Sequence, residues 1–163
     1  MNIKTMKLLF NIKVNKENLF EFKNSYFKGG DRAYLQNNIG LSRFWLLDEL
    51  GNLIKEFDDL LFDTVINFAL SYNSLIKGTA TQGGLFVMEP EWEMHLWFEL
   101  EGNNFRISFK NHRDIVMSKK DFRDMILNFS NYALSSIEYF YEGIVENEHY
   151  INYKREIYQN LND

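Results

Sequence analysis

No cysteine occurs among the 163 residues. That removes disulfides, thiolate metal ligands and cysteine nucleophiles together, and it suits a reducing compartment. Proline is reduced to one residue, Pro90, and no Pro/Gly/Ser-rich linker, repeat or low-complexity tract marks a domain boundary. The expectation is therefore a single domain over residues 1–163, long enough to bury roughly two thirds of the surface its unfolded chain exposes. Long apolar runs are missing as well. The longest uncharged hydrophobic stretch, residues 64 to 76, is broken by Asn67, Ser71, Asn73 and Ser74, whereas a helix crossing a bilayer needs about 20 apolar residues. Only Leu8 to Phe10 follow the opening residues before Asn11, too few for the apolar region of a secretory signal. These absences predict a cytoplasmic protein with no membrane partner.

Positive charge is also scarce. Eighteen Lys and Arg face 23 Asp and Glu, for a net charge of -5, and the longest basic cluster is Lys119-Lys120. Affinity for phosphate comes from Lys and Arg displacing counterions, so direct nucleic-acid binding is not expected. An acidic surface favours solubility and attraction to basic partners. Aromatic residues, by contrast, are plentiful: 15 Phe, 9 Tyr and 3 Trp make up 17% of the chain. Such side chains dominate both cores and interfaces, and this many can fill a core and leave an anchor on the surface.

The chain is organised around residues 85 to 110. Trp92, Met94, Leu96, Phe98 and Leu100 alternate with Glu93, His95, Trp97 and Glu99; Phe105, Ile107 and Phe109 then alternate with Arg106, Ser108 and Lys110. Period two marks half-buried strands, and Gly102-Asn103 between them supplies the positive φ of a tight hairpin. Counting outward pairs Leu100 with Phe105, Phe98 with Ile107 and Leu96 with Phe109 on a core face. Glu99 then meets Arg106, Trp97 meets Ser108 and His95 meets Lys110 on the other face.

Residues 3 to 14 alternate in the same way, with Met6, Leu8, Phe10, Ile12 and Val14 inward. Turn residues at 15–18 predict a hairpin to a second strand at 19–27, and 33–35 reads as a short third strand. Residues 41–57 allow either a helix capped by Ser42 or a second hairpin cornered at Gly51-Asn52, with a lean to the hairpin. Asp58 and Asp59 read as the acidic start of a helix over 58–77 that stops at Gly78. Next come a strand at 85–88 and a turn at Glu89-Pro90-Glu91. Residues 111–117 read as a connection to a long helix over 119–142, opened by the capping box Ser118-Lys119-Lys120-Asp121. Residues 144–161 read as a further amphipathic helix with Ile151, Ile157 and Leu161 inward. The fold class predicted is α+β: one twisted antiparallel sheet of five to seven strands, with the helices on one side.

No pattern identifies a reaction. His95 shares a strand face with Glu93, Trp97 and Glu99, a set that could ligate a metal or act as an acid–base pair, but its cross-strand neighbours Arg106 and Lys110 are cationic and oppose a metal. Gly29-Gly30 and Gly83-Gly84 lack the Lys-Ser/Thr of a phosphate loop and read as turns, and no Gly-x-Ser-x-Gly occurs. The expectation is no enzyme, metal or cofactor. Asp58, Asp59 and Asp63 form an acidic cluster, more simply read as a solvated helix start. A cross-strand ion pair between Arg106 and Glu99 is expected, worth under about 1 kcal/mol when exposed. Trp97 is either an exposed anchor ringed by polar groups, the make-up of an interface hot spot, or the floor of a second core under residues 41–57 or the terminal helix.

In architecture and composition the chain resembles the bacterial immunity proteins that neutralise polymorphic or contact-dependent toxins. The resemblance implies a dedicated inhibitor that binds one cognate toxin domain, often a basic nuclease, and does no chemistry. The contact residues it points to are Glu93, His95, Trp97 and Glu99, with Asp58, Asp59 and Asp63 as a second acidic patch. The alternative is a small-molecule-binding protein or hydrolase with a pocket between the sheet and the long helix; homodimerisation through the Trp97 face is a third outcome.

Overall fold

Gly102 has φ 61°, and with Asn103 it closes a two-residue turn between strands β5 (Met94–Glu101) and β6 (Asn104–Phe109). The pairing that follows has the expected register: Leu100 with Phe105, Glu99 with Arg106, Phe98 with Ile107, Trp97 with Ser108 and Leu96 with Phe109. The computed structural model describes residues 6–13, 35, 39–86, 94–109, 113–141 and 143–162, and of Leu85, Phe86, Met94 and His95 the backbone alone. Lys110, and with it the His95 pairing, lies outside the described residues.

Two further strands complete this sheet. β4 (Gly83–Phe86) pairs antiparallel with β5, and β7 (Ile115–Ser118) with β6, giving the order β4-β5-β6-β7. Both differ from expectation. Gly83-Gly84 is ladder rather than turn, because a Cβ on Gly83 would lie 2.7 Å from the Phe98 ring and 2.9 Å from Ser71 Cβ; close approach of helix and ring demands glycine inside the strand. The stretch 111–117 ends in a strand because Ile115 and Met117 alternate inward with Val116 outward, a pattern too short to read without its partner.

A second antiparallel sheet is formed by β1 (Lys7–Ile12), β2 (Leu41–Leu47) and β3 (Leu53–Leu60), in that order. The expected single sheet is thus two sheets of three and four strands. Residues 41–57 are the hairpin, though its loop is longer than a two-residue corner: Leu47 pairs with Leu53. Asp48 closes it, Oδ1 accepting from the Leu50 and Asn52 amides at 2.9 and 2.8 Å, and Gly51 turns at φ 84°. Ser42 caps no helix; its buried hydroxyl donates to the Gly40 carbonyl at 2.7 Å. Met6, Leu8, Phe10 and Ile12 point inward as expected. The expected strand at 19–27 lies outside the described residues, as does 33–35 except for Leu35. That residue is helical, buried, and accepts from the Ile39 amide at 3.2 Å.

Apart from the helical Leu35, the described residues contain three α-helices, which pack on these sheets. Helix α1 (Leu61–Ile76) begins three residues later than the acidic pair suggested, since Asp58 and Asp59 still pair with Arg43 and Ser42 inside β3. It stops where expected, with Gly78 at φ 67°. Helix α2 (Lys119–Phe140) is capped by Ser118, whose Oγ accepts from the Asp121 amide at 3.0 Å. Asp121 reaches back to the cap residue, accepting from the Ser118 hydroxyl at 2.6 Å. Ser118→Ala is expected to cost about 1 kcal/mol, read as a lower urea midpoint with an unchanged slope. Gly143, at φ 87°, then starts a 3-10 turn (Ile144–Glu146) before helix α3 (Glu148–Leu161). That break resets the helical phase. Tyr150, Tyr153, Ile157 and Leu161 face the core, while Ile151, expected inward, is 41% exposed.

The core is aromatic. Phe98 of the four-stranded sheet meets Phe68 of α1 and Phe122 of α2, with ring centroids 6.1 and 5.0 Å apart. Phe129 of α2 lies 5.9 Å from Phe68 and 5.8 Å from Phe10 of the three-stranded sheet. One helix therefore touches the inner faces of both sheets. Helix α3 packs on the other flank of α1, where Phe62 meets Tyr150 and Tyr153. No helix among the described residues is long and apolar enough to cross a membrane.

Candidate functional site

Because Leu96 and Phe98 turn in toward the helices, alternation sends Trp97, Glu99 and Glu101 out on the opposite side of β5. Trp97 is half-buried. Its neighbours across the ladder are Gly84 on β4 and Ser108 on β6, residues with almost no side chain, so neither adjoining strand walls off the indole. Covering by residues 41–57 or the terminal helix was the other reading; the hairpin belongs to the second sheet, and α3 packs on α1. Around the indole lie charged groups. Gln82 Nε2 donates to Glu99 Oε1 at 3.0 Å. Arg106 does not take Glu99 as its ion-pair partner although the two are paired in register. Its guanidinium donates one hydrogen bond to Glu101, from Nη2 to Oε2 at 2.9 Å, holds the other carboxylate oxygen as an ion pair with Nε at 2.9 Å, and reaches Asp114 at 3.7 Å. The hydrogen bond to Glu101, with the charges of Glu101, Asp114 and Glu99, raises the Arg106 pKa. Among the described residues, the carboxylates of Glu99, Glu101 and Asp114 stand against the one guanidinium of Arg106 on the face that carries Trp97.

The other expected contact residues are scattered. Glu93 lies outside the described residues, and His95 is in β5 with its side chain undescribed. The three aspartates do not make one patch. Asp58 is held by Arg43 at 3.0 Å and by Lys13 on the outer side of the three-stranded sheet; hydrogen bonds from Arg43, then Lys13, pull its pKa down. Asp59 points the opposite way and is only 5% exposed. It accepts from the Leu60 amide at 2.8 Å and the Thr64 hydroxyl at 3.1 Å. Burial pushes its carboxyl up to about 6. Asp63, on the first turn of α1, accepts from Asn67 Nδ2 at 2.8 Å. Among the described residues, no three His, Asp or Glu side chains converge as a metal site.

Sequence reasoning missed two features. Trp45 is a second outward tryptophan, at the centre of the three-stranded sheet between Leu9 and Glu56. The alternation of Arg43, Trp45 and Leu47 with Phe44 and Leu46 carried that signal, masked by the competing helical reading. The second is a groove of about 420 Å³ between β1 and α2, lined by Met6, Leu8, Met117, Met125, Phe129 and Tyr132, with Lys7, Leu9, Asp121, Asp124 and Asn128 completing its rim. It sits between a sheet and the long helix, and its apolar walls are three methionines and two leucines with one Phe and one Tyr. Comparison with protein-family models, with curated proteins and with solved structures finds no match to this chain.

Proposed function

We propose that this chain is a non-catalytic binding protein of the immunity type, working in the cytoplasm, which neutralises a cognate bacterial toxin by docking the outer face of its four-stranded sheet onto a basic toxin domain. One observation carries this reading: Trp97 stands between Gly84 and Ser108 on a face bearing Glu99, Glu101 and Asp114. An aromatic anchor that a partner can desolvate, ringed by charge, is the usual make-up of an interface hot spot. The acidic ring would speed encounter with a basic surface, and the aromatic would slow dissociation. Asp58 and Asp63 are less suited to contact because cross-strand and helical partners already hold them, and Asp59 is buried.

The test is growth rescue. Toxin domains from the same genome are expressed one at a time with this chain, and the affinity of any rescuing pair is measured by calorimetry. Rescue by wild type, with Trp97→Ala weakening the complex by on the order of 30-fold, supports the reading. Failure to rescue from any of them, or an affinity indifferent to Trp97→Ala and to the charge of Glu99 and Glu101, overturns it.

A further inference from the structure

The groove between β1 and α2 lies apart from the Trp97 face and has its own chemistry. Its helical wall is a single stripe: Asp121, Asp124, Met125, Asn128, Phe129 and Tyr132 fall at steps of three, one, three, one and three along α2, one side of a helix. The stripe is polarised. Carboxylates occupy its first turns and aromatic rings its end, where the Tyr132 ring lies tilted 5.2 Å from Phe10. Met6, just before β1, and Met117 of β7 close the floor, both nearly fully buried. Three flexible, polarisable thioethers make a wall that adapts to an apolar body of variable shape, and about 420 Å³ is within the usual range for small-molecule sites.

We propose that this groove binds a small amphipathic cation, its hydrocarbon or aromatic body against the methionines and Phe129 and its ammonium at Asp121 and Asp124. The charges favour that polarity. Two half-buried carboxylates face the groove, against one lining cation, Lys7, which is solvent-exposed. Asp124 is engaged by Lys120 at 2.7 Å and Arg123 at 3.8 Å. The Lys120 side chain is 81% exposed, and such surface pairs are weak enough for a ligand ammonium to share the carboxylate. Asp121 is fixed by its bond to the Ser118 hydroxyl, so one acceptor is in place before anything binds.

The experiment uses decylamine, decanol and decanoate as probes below their aggregation concentrations, read by calorimetry and by the methyl resonances of carbon-13-labelled methionine. The chain has six methionines. Binding is expected to shift Met6, Met117 and Met125 and leave the other three unmoved. Decylammonium should bind roughly tenfold or more tighter than decanoate, the scale of one charge-assisted contact. Asp124→Asn should shrink that preference, and Asn128→Trp, at an exposed helix position on the rim, should weaken all three probes without disturbing the fold. Equal binding of cation and anion, shifts spread over all six methyls, or saturation unchanged in Asn128→Trp would each overturn the proposal.

Discussion

Phe98→Ala is expected to destabilise the protein by about 4 kcal/mol, a third or more of the stability of a typical domain. Phe98 is fully buried and holds the four-stranded sheet to both α1 and α2: its ring lies 6.1 Å from Phe68, 5.0 Å from Phe122 and 6.2 Å from Phe105. Removing it leaves a hole that cannot readily collapse. On one side stands Gly83, with no side chain to move in, and on the others are rings already fixed by one another, Phe105 and Phe122 being 4.4 Å apart. A cavity that stays open adds its own cost to the lost transfer energy. Trp97→Ala, one residue away, removes a larger side chain from the outer face and is expected to cost roughly 1 kcal/mol or less. Urea unfolding of the two variants side by side decides which way β5 faces. Similar losses in both would mean that Trp97 is core, and the proposed binding face would fall with it.

That Phe98 and Trp97 face opposite ways was legible in the sequence because the β5–β6 hairpin is specified twice, by alternation and by a turn that permits a single register; whether another element covers Trp97 was not. The capping box at Ser118 and the 3.6-residue stripe of α2 were legible for the same reason: each signal is local and repeated. What could not be read depends on neighbours distant in sequence. Asp58 and Asp59 suit a helix start by charge, but Asp58 is claimed by Arg43, fifteen residues back on the adjoining strand, and the ladder keeps both in β3. Gly83 suits a turn by composition, yet it lies in a strand where the Phe98 ring and Ser71 of α1 both crowd the place a Cβ would take. The division into two sheets is encoded by no segment alone; it follows from which edges α2 can cover. The candidate site divides in the same way. Trp97 and Glu99 were placed on one face by counting along one strand, whereas the groove is assembled from β1, β7 and α2 and carries no pattern a single element could show.

The buried carboxylate of Asp59 makes a second large effect, in pH. Burial at the junction of β3 and α1 raises its pKa from 3.8 to about 6, helped slightly by the charge of Asp63, while bonds from the Leu60 amide and Thr64 hydroxyl resist the rise. A carboxyl that binds its proton more tightly in the folded chain stabilises the fold fully below the unfolded value and loses that contribution as pH climbs through the folded one. Between about pH 3 and pH 7 Asp59 should therefore remove roughly 3 kcal/mol, about two thirds of it between pH 4 and pH 6, opposite in sign to ion-paired Asp58, whose pKa is lowered. Urea unfolding of wild type and Asp59→Asn across that window isolates the effect, since Asp58 and the other acids titrate alike in both and cancel in the difference. The stability of Asp59→Asn relative to wild type is expected to rise by roughly 3 kcal/mol from pH 3 to pH 7, most steeply between pH 4 and pH 6, and to level off beyond. Whatever Asn alters in the bonds to Leu60 and Thr64 offsets the whole curve without giving it slope, so a flat difference would mean that the carboxylate reaches water and that β3 and α1 meet less closely than their contacts require.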